Sequence, residues 1–227
     1  MRRSSYAKIT NDYIQKVYLW MFVGLLITSV TAYVVSQFPD LYNAILGNDV
    51  IFIGILVVQF LAIISISAFI KRIPDNLAGI TFVLYCFLTG LTLSVIFLDF
   101  SISSIAYVVV ITAAMFGFMS LYGYITKTDL TSLGSILTMC LFGIILALIV
   151  NLFLMNSLLD TILSILGVLV FSGFAAHDTQ HIKNTLMYGG DGDLIKEEIL
   201  GALNLYLDFV NLFLDLIDLL GGKRRND

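Results

Sequence analysis

Five polar residues recur at fixed intervals inside an otherwise apolar run near the end of the chain. In ILGALNLYLDFVNLFLDLIDLL, Ile199 to Leu220, they are Asn204, Asp208, Asn211, Asp215 and Asp218. On a helix, at about 100° per residue, these positions fall within an arc of roughly 80°, and Leu, Val and Phe fill most of the remaining circumference. Carboxylates in such a stripe are hard oxygen ligands, suited to a divalent cation such as calcium, and they also take protons. A further acid, Asp178, stands in GFAAHDTQHIK, where an apolar run gives way to a polar loop. Asp208 lies about two and a half helical turns into the last run from the same side, so both acids fall at similar depth. Two carboxylates brought together in a low-dielectric interior cannot both ionise cheaply. Such a pair titrates as a unit, and protons compete with calcium for it. The plainer reading of Asp178 is an interfacial acid bonded to nearby hydroxyls or lysines.

Other chemistries fit less well. His177 and His181 stand four residues apart and could share a face, as metal-binding histidines do, but the chain has no third histidine. That count excludes a three-histidine zinc hydrolase. Neither histidine lies deep in an apolar run, as the base of an intramembrane serine protease would. The last run has no lysine for a retinal Schiff base. The chain is therefore not expected to be an enzyme, and it needs no cofactor beyond calcium as a bound or permeant ion. GGDGD, Gly189 to Asp193, invites a calcium-loop reading, yet the alternating ligands closed by a distant Glu are missing. Asp193 reads instead as a helix cap, with Glu197 and Glu198 favoured by the helix dipole.

Composition decides which elements position these groups. The chain has 227 residues, 59% hydrophobic and only 12% charged, with mean hydropathy +0.98. That places residues 1–227 in one polytopic membrane domain with no separate soluble module. A net charge of −4 and the lack of a basic patch argue against nucleic acid as a partner. Cys86 and Cys140 fall inside apolar runs, so no disulfide framework is expected. Apolar runs cover Val17–Val35, Val50–Ile70, Leu77–Phe97, Ile102–Leu121, Leu133–Leu154 and Leu158 to beyond Ala176. A soluble amphipathic helix would carry the same polar stripe as Ile199–Leu220, but six preceding spans make it the seventh of a membrane bundle.

Orientation follows from the basic residues. They occupy the polar N-terminal segment 1–16, Lys71 and Arg72, Lys127, Lys183 and Lys196, whereas the alternate loops hold Asp40, Asp49, Asp99 and Asn156. The N-terminus and the basic loops are thus expected in the cytoplasm. The tail Lys223, Arg224 and Arg225 would end outside if seven helices span. Either the last segment is re-entrant or the tail departs from a statistical rule; its spanning length favours a full seventh crossing.

Several stretches resemble the Bax inhibitor (transmembrane Bax inhibitor motif) family. GALNLYLDFVNLFLDLIDLLGG, Gly201 to Gly222, is similar to its C-terminal signature. AAHDTQHIK, Ala175 to Lys183, is similar to its sixth-helix motif, GYITKTDLTSLGS, Gly123 to Ser135, to its fourth loop, and FLTGLTLSVIF to its third helix. The resemblance covers nearly the whole chain, and the short N-terminus looks bacterial, which implies a cell (inner) membrane location. It implies an all-α membrane protein of seven transmembrane helices with the last helix central. It further implies a pH-sensitive calcium leak channel whose sensor is the pair matching Asp178 and Asp208. A basic residue at the cytoplasmic end of the second helix, best matched by Arg72, would be an ionic latch on that pair. His177 departs from the tyrosine more usual there and sets a second titrating group beside Asp178. The expected partners are the lipid bilayer, calcium and other membrane proteins. The alternative function is a membrane-embedded regulatory or interaction protein, a modulator of stress responses or membrane proteases, that conducts no ion.

Overall fold

The computed structural model describes residues 2–72, 74–187 and 194–222. The GGDGD motif with its expected Asp193 cap, and the basic tail, lie outside them. Nine α-helices are found among the described residues: α1 (Arg2–Gln37), α2 (Pro39–Leu46), α3 (Asp49–Phe69), α4 (Asp75–Leu93), α5 (Ile96–Asp99), α6 (Ile102–Ile125), α7 (Thr131–Leu154), α8 (Ser157–Met187) and α9 (Leu194–Leu220). Seven segments are long and apolar enough to cross a membrane, and each expected span has its counterpart among them. The protein is an all-α, multi-span membrane protein.

Three details depart from the sequence reading. The first helix begins at Arg2 rather than Val17, because no Gly or Pro interrupts the polar segment before it. Pro39 and Asp40 start the short helix α2 in a connection expected to be loop. Proline at the first helical position loses no needed N–H, and an acid there suits the dipole. The third span is broken after Leu93. There the Ser94 hydroxyl donates to the Leu91 carbonyl at 2.7 Å, competing with the helical ladder before α5 resumes.

The chain divides into two compact units. Unit one holds α1 to α5 and the first half of α9, through Tyr206. In it α1 packs closely on α4. A Cβ on Gly24 would sit 2.8 Å from the Phe82 ring, and one on Gly90 would sit 2.7 Å from the Thr28 carbonyl. Small residues at such crossings let membrane helices approach. Tyr206 is fully buried there, edge-on to Phe82 and Tyr85, with its hydroxyl 2.6 Å from Thr28 Oγ1.

Unit two holds α6, α7, α8 and α9 from Leu207 onward. Buried Leu137, Ile144, Leu163 and Val170 form the apolar seam of α7 against α8. A Cβ on Gly123 would lie 2.0 Å from the Ala176 carbonyl oxygen, so α6 and α8 touch backbone to backbone. The turn between α6 and α7 is held by α8. Gln180 accepts from the Leu130 amide and donates to the Thr128 carbonyl, both at 2.8 Å, and Lys183 donates to the Tyr124 carbonyl at 2.7 Å. More than half of the α9 span is buried, 56% against 11% for the α3 span. An uninterrupted helix of 27 residues, α9 contains no re-entrant turn.

Candidate functional site

Asp178 on α8 and Asp208 on α9 both belong to unit two and are electrostatic neighbours. The sequence at each place builds the local geometry. Small Gly173, Ala175 and Ala176 keep α8 narrow, and its side toward α6 fits against Gly123. Asp208 is flanked on its own helix by buried Leu205, Val210 and Leu212. Asp208 itself is 5% exposed, and its Oδ2 has no hydrogen-bond partner. Asp178 is half-buried, and its Oδ1 lies 2.6 Å from His177 Nδ1.

His177 is fixed on three sides. Its ring stacks in parallel on exposed His181 at 6.1 Å, meets Phe174 edge-on, and fills the space left by Gly134, whose Cβ would lie 2.3 Å from Nε2. The two histidines therefore share a face as their spacing suggested. Among the described residues no three His, Cys, Asp or Glu side chains converge on one point.

The stripe of α9 is graded along its length. Asn204 is half-buried, Asp208 is enclosed, Asn211 and Asp215 are half-buried, and Asp218 is exposed. Asn211 donates its amide to its own helix, at the Leu207 carbonyl, 2.8 Å away. Asp215 fits a notch in α8 made by Gly167, whose Cβ would meet Asp215 Oδ2 at 2.2 Å, and that oxygen has no hydrogen-bond partner. Asp218 accepts from Ser164 at 2.7 Å. Arg72 closes the 3-10 turn Ile70–Arg72 of unit one, exposed.

The chain matches the family model described as "Inhibitor of apoptosis-promoting Bax1" across residues 10–226. It belongs to the Bax inhibitor family. Among its relatives, the inner membrane protein YbhL of Escherichia coli K12 is 43% identical over 93% of this chain and 92% of its own length. An uncharacterized protein of Borreliella burgdorferi is also 43% identical, over 96% of this chain and 95% of its own. YrjE of Lactococcus lactis is 30% identical over 93% and 91%. For this Bax inhibitor family chain, sequence reasoning found the acids because charge inside an apolar run is conspicuous. It missed Gly134, Gly167, Gln180 and Ser164. Small and neutral residues carry no such signal until the opposing helix is in place.

Proposed function

We propose that this Bax inhibitor family member is a pH-sensitive calcium leak of the bacterial inner membrane, with Asp178 and Asp208 as its sensor. The observation that carries this reading is Asp208: a carboxyl 5% exposed in a span, one oxygen unpartnered, beside a second acid on another helix. Such a group is costly in a low-dielectric site unless it holds a proton or a cation. Protons and calcium then compete for one pair, and occupancy shifts a closed–open equilibrium. In this reading the N-terminus and the ends bearing Arg72, Lys127 and Lys183 face the cytoplasm, an orientation that the distribution of basic residues supports. Arg72 favours the closed state, so Arg72→Ala raises basal leak, with a coupling on the order of 1–3 kcal/mol.

The family description as an inhibitor speaks for a second reading, a membrane regulator without conduction. The enclosed Asp208 carboxyl has no part to play in it. The test is calcium affinity against pH in the wild type, Asp178→Asn, Asp208→Asn and the double variant. Affinity falls as pH drops, because protons displace calcium from a shared site. Each single change removes most of that dependence, and the double change adds little. Fully additive effects would show two independent acids. Dependence that survives both changes and disappears with His177→Tyr would move the sensor to the histidine.

A further inference from the structure

The turn from α7 to α8, at the opposite end of α8 from Asp178, is built by two asparagines. Met155 ends α7 in the left-handed region, with φ 49°. Asn156 then starts α8, its side chain accepting from the Leu158 and Leu159 amides at 3.0 and 3.2 Å. Asn151, 5% exposed, clasps Asn156 from α7. Its Nδ2 donates to the Asn156 carbonyl at 3.2 Å, and its Oδ1 accepts from the Asn156 amide at 3.1 Å. The other Nδ2 proton goes to Asp160 Oδ1, which holds that exposed carboxylate in place on the first turn of α8. Asp160 enters no ion pair among the described residues, and no Lys or Arg occurs between Lys127 and Lys183.

A groove of about 560 Å³ opens beside this acid, within the roughly 300–1,000 Å³ of small-molecule sites. Ile145, Leu148, Ile149 and Leu152 line it from α7, and Ser157 and Asp160 line it at the turn. The four apolar residues follow the i, i+3, i+4, i+7 spacing of one helix face, a stripe about 10 Å long at 1.5 Å per residue. That stripe belongs to the apolar span Thr131–Leu154. Ser157 and Asp160 stand past its end, at the depth where hydrocarbon gives way to headgroups. An apolar wall ending in one carboxylate that has no countercharge matches an amphiphile with a cationic head.

We propose that this groove binds an ethanolamine phospholipid, its ammonium on Asp160 and one acyl chain along the α7 stripe. A primary ammonium brings three N–H donors to the carboxylate oxygen that Asn151 leaves free. A choline head carries the same charge with no N–H to donate, and a glycerol head leaves the lipid anionic and repelled by Asp160. The Ser157 hydroxyl can donate to the phosphate that adjoins the ammonium. The site shares no residue with the acid pair and stands apart from the leak reading.

Fluorescence quenching on the full chain tests this. Trp20 is the single tryptophan, so a Trp20→Phe background is dark. Ile149→Trp then reports from the groove, and Phe118→Trp, at an exposed position of α6 outside it, reports ordinary lipid contact. Each variant is reconstituted in choline-lipid vesicles with an added ethanolamine, choline or glycerol phospholipid that carries brominated acyl chains. The ethanolamine lipid should quench the Ile149→Trp reporter with an apparent affinity about threefold above the choline lipid, the scale of an exposed charge pair. The Phe118→Trp reporter should not distinguish the two. Asp160→Asn, which keeps an oxygen for Asn151 to bond, should remove the preference. Equal quenching by ethanolamine and choline lipids at position 149 would show bulk lipid contact only and overturn the site. A preference for the glycerol lipid, or an ethanolamine preference that survives Asp160→Asn, would overturn the assignment of the headgroup to Asp160. The headgroup comparison decides by itself should the Asn variant not reconstitute.

Discussion

Asp208 and Asp215 stand on one face of α9 and meet different surroundings. Asp208 is enclosed beside Asp178, whereas Asp215 occupies a notch cut by one glycine. The same residue type thus meets an enclosed setting near a second acid in one place and a glycine notch in another. His177 shows how tightly the first is held, since its ring has room only because position 134 lacks a Cβ. Gly134→Ala should push the ring aside, break its contact with Asp178 and cost about 1–3 kcal/mol, the usual range for overpacking. Thermal unfolding in detergent measures the cost, and an unchanged midpoint would show that the ring has space to move. His177→Tyr, which keeps an aromatic ring and loses the imidazole, separates packing from protonation in the same assay.

At the scale of elements, two motifs that are distant in sequence form one device. GYITKTDLTSLGS supplies the α6–α7 turn, and AAHDTQHIK supplies Gln180 and Lys183, which bind that turn's backbone. Gln180→Ala should leave the Leu130 amide and Thr128 carbonyl unpaired at about 1–3 kcal/mol. The local reporter is faster hydrogen exchange at Leu130; unchanged exchange there would show that the turn holds itself. Glycines divide the same way. Gly123→Ala must force α6 off the Ala176 backbone and should destabilise by about 1–3 kcal/mol. Gly143→Ala meets nothing within 4 Å and should be neutral or gain up to about 1 kcal/mol of helix propensity. Equal melting shifts for both would contradict the packing described. The spans themselves were legible in the sequence, because long apolar runs admit few other structures. The break at Ser94 and the helix over Pro39–Leu46 were not, since a serine back-bond or an N-terminal proline is decided by a few local hydrogen bonds. Nor was the Gly167–Asp215 match, which exists only once two helices share a register.

For the whole molecule, membrane residence follows from seven apolar helices and from family membership. Its orientation carries a separate prediction. Cysteines placed at Asp40, Asp99 and Asn156 should react from outside intact cells with a membrane-impermeant thiol reagent, and one at Lys127 should not. Labelling at Lys127 would reverse the assignment. The proposed leak requires one property, that protons and calcium compete for a site that gates conduction. Calcium entry into liposomes that hold only this protein, scanned across pH, tests it most directly. The wild type should show a pH-dependent leak, and the Asp178→Asn, Asp208→Asn double variant should lose most of that dependence. A wild type that passes no calcium at any pH, or a double variant with an unaltered pH profile, would contradict it.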